Sequence, residues 1–170
     1  FLKMQSSISE SILGWYDKFG RKNLPWKVND PYKIWISEIM LQQTQVQTVI
    51  PYYLKFIKKY PDIKSLSKAS LDDLLLIWSG LGYYTRIKNI HTSSQIISRD
   101  YNDVFPESFD EILMLPGIGR TTASAISTFS GFSNRAILDG NVKRILVRFF
   151  NINDNYAKSE LDKILWKKSE

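Results

Sequence analysis

Residues 109–126 read Phe109-Asp110-Glu111-Ile112-Leu113-Met114-Leu115-Pro116-Gly117-Ile118-Gly119-Arg120-Thr121-Thr122-Ala123-Ser124-Ala125-Ile126. Segments 108–114 and 120–130 have helical patterning, and the proline and two glycines between them cannot continue a helix. The stretch therefore predicts two short helices joined by a tight turn at 115–119. Glycine lets backbone approach a ligand closely, and the N–H groups that open the second helix form an anion site, with Arg120 beside it. A plain helix-to-helix turn has the same spacing, so the spacing alone leaves both readings open.

Helical periodicity extends in both directions from this turn. Ser7 and Glu10 have capping-box spacing and precede Ile8, Ile12, Trp15, Tyr16 and Phe19, which predicts a helix over 8–19. Asp30-Pro31 marks the start of a second helix over 31–43, and a third is expected over 46–59, with Pro51 kinking it or lying in its first turns. Ser70 opens a short helix that Gly80 and Gly82 end, and a longer one runs from Tyr83 to about Arg99. Helices over 140–150 and 157–168 complete an all-α chain of about nine helices. There is no run of alternating apolar and polar residues and no repeat.

The 170 residues carry 44% hydrophobic and 24% charged side chains, which is ordinary globular composition for one domain. Surface scaling predicts about 8,600 Å² of accessible surface once folded. Cysteine is absent and His91 is the single histidine, which excludes thiol nucleophiles, disulfides and Cys/His-rich metal sites while leaving carboxylate magnesium sites open. His91 itself is expected to be a surface or packing residue. The net charge of +6 suits a polyanionic partner. Residues 18–33 and 120–148 each hold five basic and one acidic side chain, whereas 101–115 hold four acidic and no basic ones. No signal peptide or long apolar run is present, so the chain reads as soluble and intracellular. It starts on Phe1 and stops in a helical pattern, which predicts a fragment.

Three further stretches could carry chemistry. In Ile34-Trp35-Ile36-Ser37-Glu38-Ile39-Met40-Leu41 a carboxylate lies among apolar residues. Burial would raise its pKa and let it deliver a proton near neutral pH, unless it turns to the polar side of its helix. Gln42, Gln43 and Thr44 follow as base-reading or capping side chains. In Leu138-Asp139-Gly140-Asn141-Val142-Lys143-Arg144, Asp139 is either an ordinary N-cap or a carboxylate kept ionised to stabilise a developing cation. A protonated Glu38 beside an ionised Asp139 is the kind of pair that glycosidic cleavage through an oxocarbenium-like state requires. Gly80-Leu81-Gly82-Tyr83-Tyr84 presents two aromatics that either pack or wedge between bases.

Leu24-Pro25-Trp26, Ser37 to Val46, Gly80 to Tyr84, Leu115 to Arg120 and Leu138 to Arg144, in this order, resemble the adenine DNA glycosylase (MutY) family of helix-hairpin-helix base-excision enzymes. The resemblance runs from about Met4 to the end. It implies a two-lobed all-α fold, truncated at its C-terminus, in which residues 1–170 are one partial catalytic domain with the hairpin motif at about 108–130. It also implies excision of adenine mispaired with 8-oxoguanine or guanine, after the base is flipped from double-stranded DNA.

The resemblance further assigns roles. Glu38 protonates adenine N7, Asp139 supports the oxocarbenium ion and water attack, and Asn141 helps hold the site. Leu41, Gln43 and Tyr83 enter the base stack, while Lys22 and Trp26 fall near the adenine pocket. Gly117 and Gly119, followed by Arg120, grip a backbone phosphate, and an alkali cation under the hairpin carbonyls is compatible with that. Thr121 stands where related lyases carry a Schiff-base lysine, which implies a monofunctional enzyme. The family's 4Fe-4S loop, its closing helices and its Nudix-like domain fall outside these residues, so Trp15 and Trp166 are expected to be uncovered. A monomer is expected, with no membrane partner. The alternatives are a pyrimidine or thymine-mismatch glycosylase of the same fold, or a helix-hairpin-helix module that binds DNA without catalysis.

Overall fold

The structure is a computed structural model that describes residues 2–152 and 156–170, with side chains from residue 9 onward. Among the described residues there are ten helices and no strand: α1 (Leu2–Phe19), α2 (Pro31–Leu41), α3 (Val46–Lys59), α4 (Ile63–Ser67), α5 (Leu71–Trp78), α6 (Thr85–Asp100), α7 (Phe109–Met114), α8 (Arg120–Phe129), α9 (Gly140–Phe149) and α10 (Lys158–Ser169).

Local signals explain most of the boundaries. Asp30 caps α2 by accepting the Lys33 N–H, and Pro31 occupies the first turn, where its missing N–H costs nothing. Asp139 caps α9 and Ser70 caps α5 in the same way. Pro51 lies inside α3, in its second turn.

Four expectations need correction. Helix α1 begins at Leu2, so position 7 is interior and does not open the helix; the side chains of Ser7 and Ile8 lie outside the described residues. Helix α4 was not foreseen, because five residues are too few to show a period, although Asp62 and Ser65 form a reciprocal capping box. Helix α2 stops at Leu41 rather than 43, and α6 starts at Thr85 rather than 83. Gln43 and Tyr83 explain both shifts, since each adopts a left-handed backbone (φ 56° and 48°) that a helix cannot contain.

Helix α2 is apolar on almost every side, which is the pattern of a central helix. It packs against α3, α6 and α8 and buries Tyr32, Ile34, Trp35, Ile36, Ile39 and Met40. One continuous core runs from Trp26 to Ile126, with Phe56 edge-on to Trp78 and Trp35 against Phe105. The flank is different. Helix α9 contains no buried residue, α10 contains only Leu165, and Ile12, Leu13, Trp15 and Phe19 of α1 are exposed. The accessible surface is accordingly 10,877 Å², above the roughly 8,600 Å² expected for a compact chain of this mass. Trp15 is uncovered as expected, but Trp166 is half-buried beneath the Arg120 guanidinium, 3.8 Å from its ring centroid.

Helices α7 and α8 close the predicted hairpin, with the Ile118 N–H bonded to the Leu115 carbonyl. Gly117 has φ +77°, and a Cβ there would meet the Asn89 side chain, its Cβ at 3.0 Å. Gly117→Ala is therefore expected to destabilise the fold by about 1–3 kcal/mol. A lower urea midpoint at unchanged m would show this, and an unchanged midpoint would contradict it.

Candidate active site

Three elements converge on one cleft of about 830 Å³. The end of α2 and the turn after it contribute Glu38, Leu41 and Gln43, the start of α8 contributes Thr121, and the start of α9 contributes Asp139 and Asn141. The hairpin sets where α8 begins, and its first residues fasten the other two elements. Thr121 Oγ1 donates to the Leu138 carbonyl (3.1 Å), which seats the mouth of α9, and Gln42 Nε2 donates to Thr122 Oγ1 (3.4 Å), which ties the end of α2 to α8.

Glu38 belongs to a helix that is apolar on almost every side and is itself half-buried. Loss of solvent around its carboxyl, reinforced by the negative charge of Asp139, raises its pKa from 4.5 to about 7. The side chain lines the cleft and does not turn to the open polar side of its helix. A carboxyl titrating at about 7 is partly protonated at neutral pH and borders a cavity into which it can deliver the proton.

Asp139 is both a cap and a site carboxylate. Its Oδ1 accepts the N–H groups of Asn141 (2.9 Å) and Val142 (2.8 Å), and its Oδ2 accepts the Asn141 amide at 3.3 Å. Asn141 is held in turn by Arg144, whose Nη2 donates to its Oδ1. All three bonds to Asp139 fix an oxygen pair in place without supplying a counter-cation.

A second, more apolar groove of about 670 Å³ adjoins the cleft and shares Glu38, Arg21 and Phe129 with it. Trp26 lines this groove, buried edge-on against Tyr53 at 5.3 Å between centroids. Glu38 thus borders both cavities.

Not every expected residue reaches the cleft. Lys22 points back along α1, with its Nζ donating to the Asp17 carbonyl, and the basic side chain in the cleft is Arg21 instead. Arg120 turns away from the hairpin mouth, pairing with Glu170 and stacking on Trp166. Tyr83 is exposed on the neighbouring turn and does not line the cleft. His91 is half-buried, with its Nε2 3.3 Å from Gln95 Nε2, and takes no part in the site. The described residues contain no group of three or more His, Cys, Asp or Glu able to hold a metal ion. With no cysteine in the sequence, these residues cannot ligate an iron-sulfur cluster. No helix among the described residues is long and apolar enough to cross a membrane.

The family model described as HhH-GPD superfamily base excision DNA repair protein matches residues 36–170. The chain belongs to this superfamily. Its HhH-GPD region begins within α2, two residues before Glu38, and takes in the hairpin and both carboxylates of the cleft. The chain is 54% identical over 162 residues to the adenine DNA glycosylase of Buchnera aphidicola subsp. Baizongia pistaciae, covering 95% of this chain and 46% of that protein. It is 35% identical over 166 residues to the human adenine DNA glycosylase, covering 92% and 30% respectively. The chain thus spans about half the length, or less, of these curated relatives. Among solved structures it is similar to a thermostable thymine-DNA glycosylase, with TM-score 0.85 and 26% identity over 98% of this chain and 77% of that one. Endonuclease III in a non-covalent DNA complex shares the fold, with TM-score 0.78 and 21% identity over 95% of this chain and 76% of that one. The all-helical HhH-GPD expectation therefore stands.

Proposed function

We propose that the chain carries the catalytic carboxylates of an adenine-specific mismatch DNA glycosylase, which hydrolyses the N-glycosidic bond of adenine paired with 8-oxoguanine or guanine. The observation that carries this reading is the placement of Glu38 and Asp139 in one cleft, with burial and the Asp139 charge raising the Glu38 pKa to about 7. The identity to curated adenine DNA glycosylases supports the choice of base.

In this mechanism Glu38 gives its proton to N7 of the extruded adenine, the bond from C1′ to N9 breaks, and its electron pair leaves with the base. The sugar becomes an oxocarbenium ion beside Asp139, whose negative charge stabilises it until water adds to C1′ and loses a proton. Asn141 keeps the Asp139 oxygens aimed, and Trp26 with Arg21 borders the base side of Glu38. Leu41, Gln43 and Tyr83 act on the base stack. Gly117 and Gly119 bring the hairpin amides to a phosphate, the protein acting as a monomer on duplex DNA. Neutral hairpin carbonyls are the donors an alkali cation would use there.

Thr121 has no amine and is already bonded to Leu138, so no covalent sugar adduct forms at this position. The expected product is an intact abasic site, cut only when alkali is added, with no adduct trapped by borohydride. Strand nicking that disappears on replacing a single lysine would overturn this.

A single-turnover assay on duplex carrying adenine opposite 8-oxoguanine, followed by alkali, tests the reading. Adenine release well above that of Glu38→Gln is expected. Release of thymine from a thymine-guanine duplex in its place would favour the activity named for the thymine-DNA glycosylase neighbour. Salt-sensitive binding with no release of either base would favour a binding module.

A further inference from the structure

Arg86, in the first turn of α6, is 7% exposed, and no carboxylate among the described residues is paired with it. Its guanidinium instead donates to five backbone carbonyls, three from the distant end of α2 and two from the turn just before α6. Nη1 donates to Ile39 (3.1 Å), Met40 (2.8 Å) and Gln42 (2.7 Å), and Nη2 donates to Leu81 (3.2 Å) and Gly82 (3.3 Å). The Trp78 and Tyr83 rings lie 5.4 and 5.3 Å from its central carbon. Burying a guanidinium with no counter-ion is expensive, and here the negative C-terminal end of α2 and the ring faces offset the cost. An apolar side chain of the same size would leave these carbonyls without their donor, so the fork holds the end of α2 and the 81–82 turn in one arrangement.

Each clamped segment leads straight into an exposed side chain on strained backbone. Gln42 precedes Gln43 (φ 56°), and Gly82 precedes Tyr83 (φ 48°). Non-glycine residues hold that conformation only where the surroundings over-determine it. The same face of α6 also seats the hairpin, since Asn89 packs on Gly117 and Ser93 Oγ donates to the Pro116 carbonyl (3.3 Å).

We infer that Arg86 is a positioning residue that locks Gln43 and Tyr83 at a fixed separation as paired wedges for opening the base stack, without touching the extruded base. The inference rests on the glycosylase reading. A lysine cannot replace the clamp, because one ammonium cannot span two rows of carbonyls in a planar fork.

The test places 2-aminopurine at the target position opposite guanine and compares wild type, Arg86→Met and Arg86→Lys in the protein, with thermal melting as the check of folding. Wild type is expected to raise the fluorescence on binding, as the base leaves the stack. Both variants are expected to bind duplex within a few-fold of wild type, to show at least tenfold less extruded base, and to release adenine about 100-fold more slowly. With the 2-aminopurine already unpaired in a bulge, all three proteins should give the same signal. If Arg86→Met does not fold, Arg86→Lys carries the comparison. Full extrusion by either folded variant, or an equal loss on paired and bulged duplex, would overturn the inference. Failure of the glycosylase reading shows separately, as wild type that extrudes 2-aminopurine yet releases no adenine.

Discussion

Glu38→Gln is expected to lower single-turnover adenine release by about 10³-fold, within the range removed with a general acid, and to leave the affinity for duplex nearly unchanged. The amide keeps the shape of the acid in the cleft but has no proton to give. The pH profile supplies the independent signature. With Glu38 titrating at about 7, the wild-type rate is level below that pH and falls about tenfold per unit above it. The Gln variant should lose this slope along with the rate. Stability moves the opposite way. The native protein binds a proton at Glu38 that the unfolded chain has already lost over the window from 4.5 to about 7, so rising pH costs stability there. Removing the charge should therefore stabilise the fold above pH 7 by roughly 3 kcal/mol at most, less in practice because the side chain is partly exposed, and by nothing near pH 4. Denaturant midpoints at pH 4 and pH 8 would show it. A variant that still releases adenine, or one less stable at pH 8, would remove Glu38 from the role of acid.

Asp139→Asn separates the capping of α9 from the catalytic role proposed for the same side chain. Asparagine is as good an N-cap as aspartate, so the oxygen facing the Asn141 and Val142 amides can be kept and the melting temperature should hardly change. The charge is lost, and with it the stabilisation of the cationic transition state, for which a fall of about 10²–10³-fold is expected. Because the Asp139 charge is the second cause of the raised Glu38 pKa, the pH at which activity falls should move down in this variant. A rate loss with a fixed pH midpoint would mean that the two carboxylates do not sense one another. A large loss of stability with little loss of rate would make Asp139 a cap alone.

What could be read from the sequence was local. Asp30-Pro31 and the 115–119 turn have their meaning within a few residues, and the structure places each element where those signals put it. Glu38 was legible as a candidate because its neighbours at 34–36 and 39–41 are apolar, but whether it turned inward depended on α8 and α9, which lie some eighty or more residues further on. Arg86 gave no signal. Its partners are main-chain carbonyls, which every residue has, so no pattern of side chains points to them. The reversal at Lys22 and Arg21 turns on one step of backbone where α1 ends, finer than periodicity can place. Arg120 was expected at the phosphate because it is next to Gly119. It is drawn away by Trp166 on α10 and by Glu170 just past its end.

The uneven burial of the helices bears on how the cleft comes apart. Glu38 rides on α2, in the centre of the core, whereas Asp139 opens α9, which has no fully buried residue and is held by the Thr121 hydroxyl at its mouth and by packing on α10. Amide protons of α9 should then exchange with solvent through local opening, long before those of α2, which wait for global unfolding. Glu38 and Asp139 are then expected to belong to different cooperative units. A protein can lose one half of the pair while its circular dichroism and its melting temperature still report an intact fold.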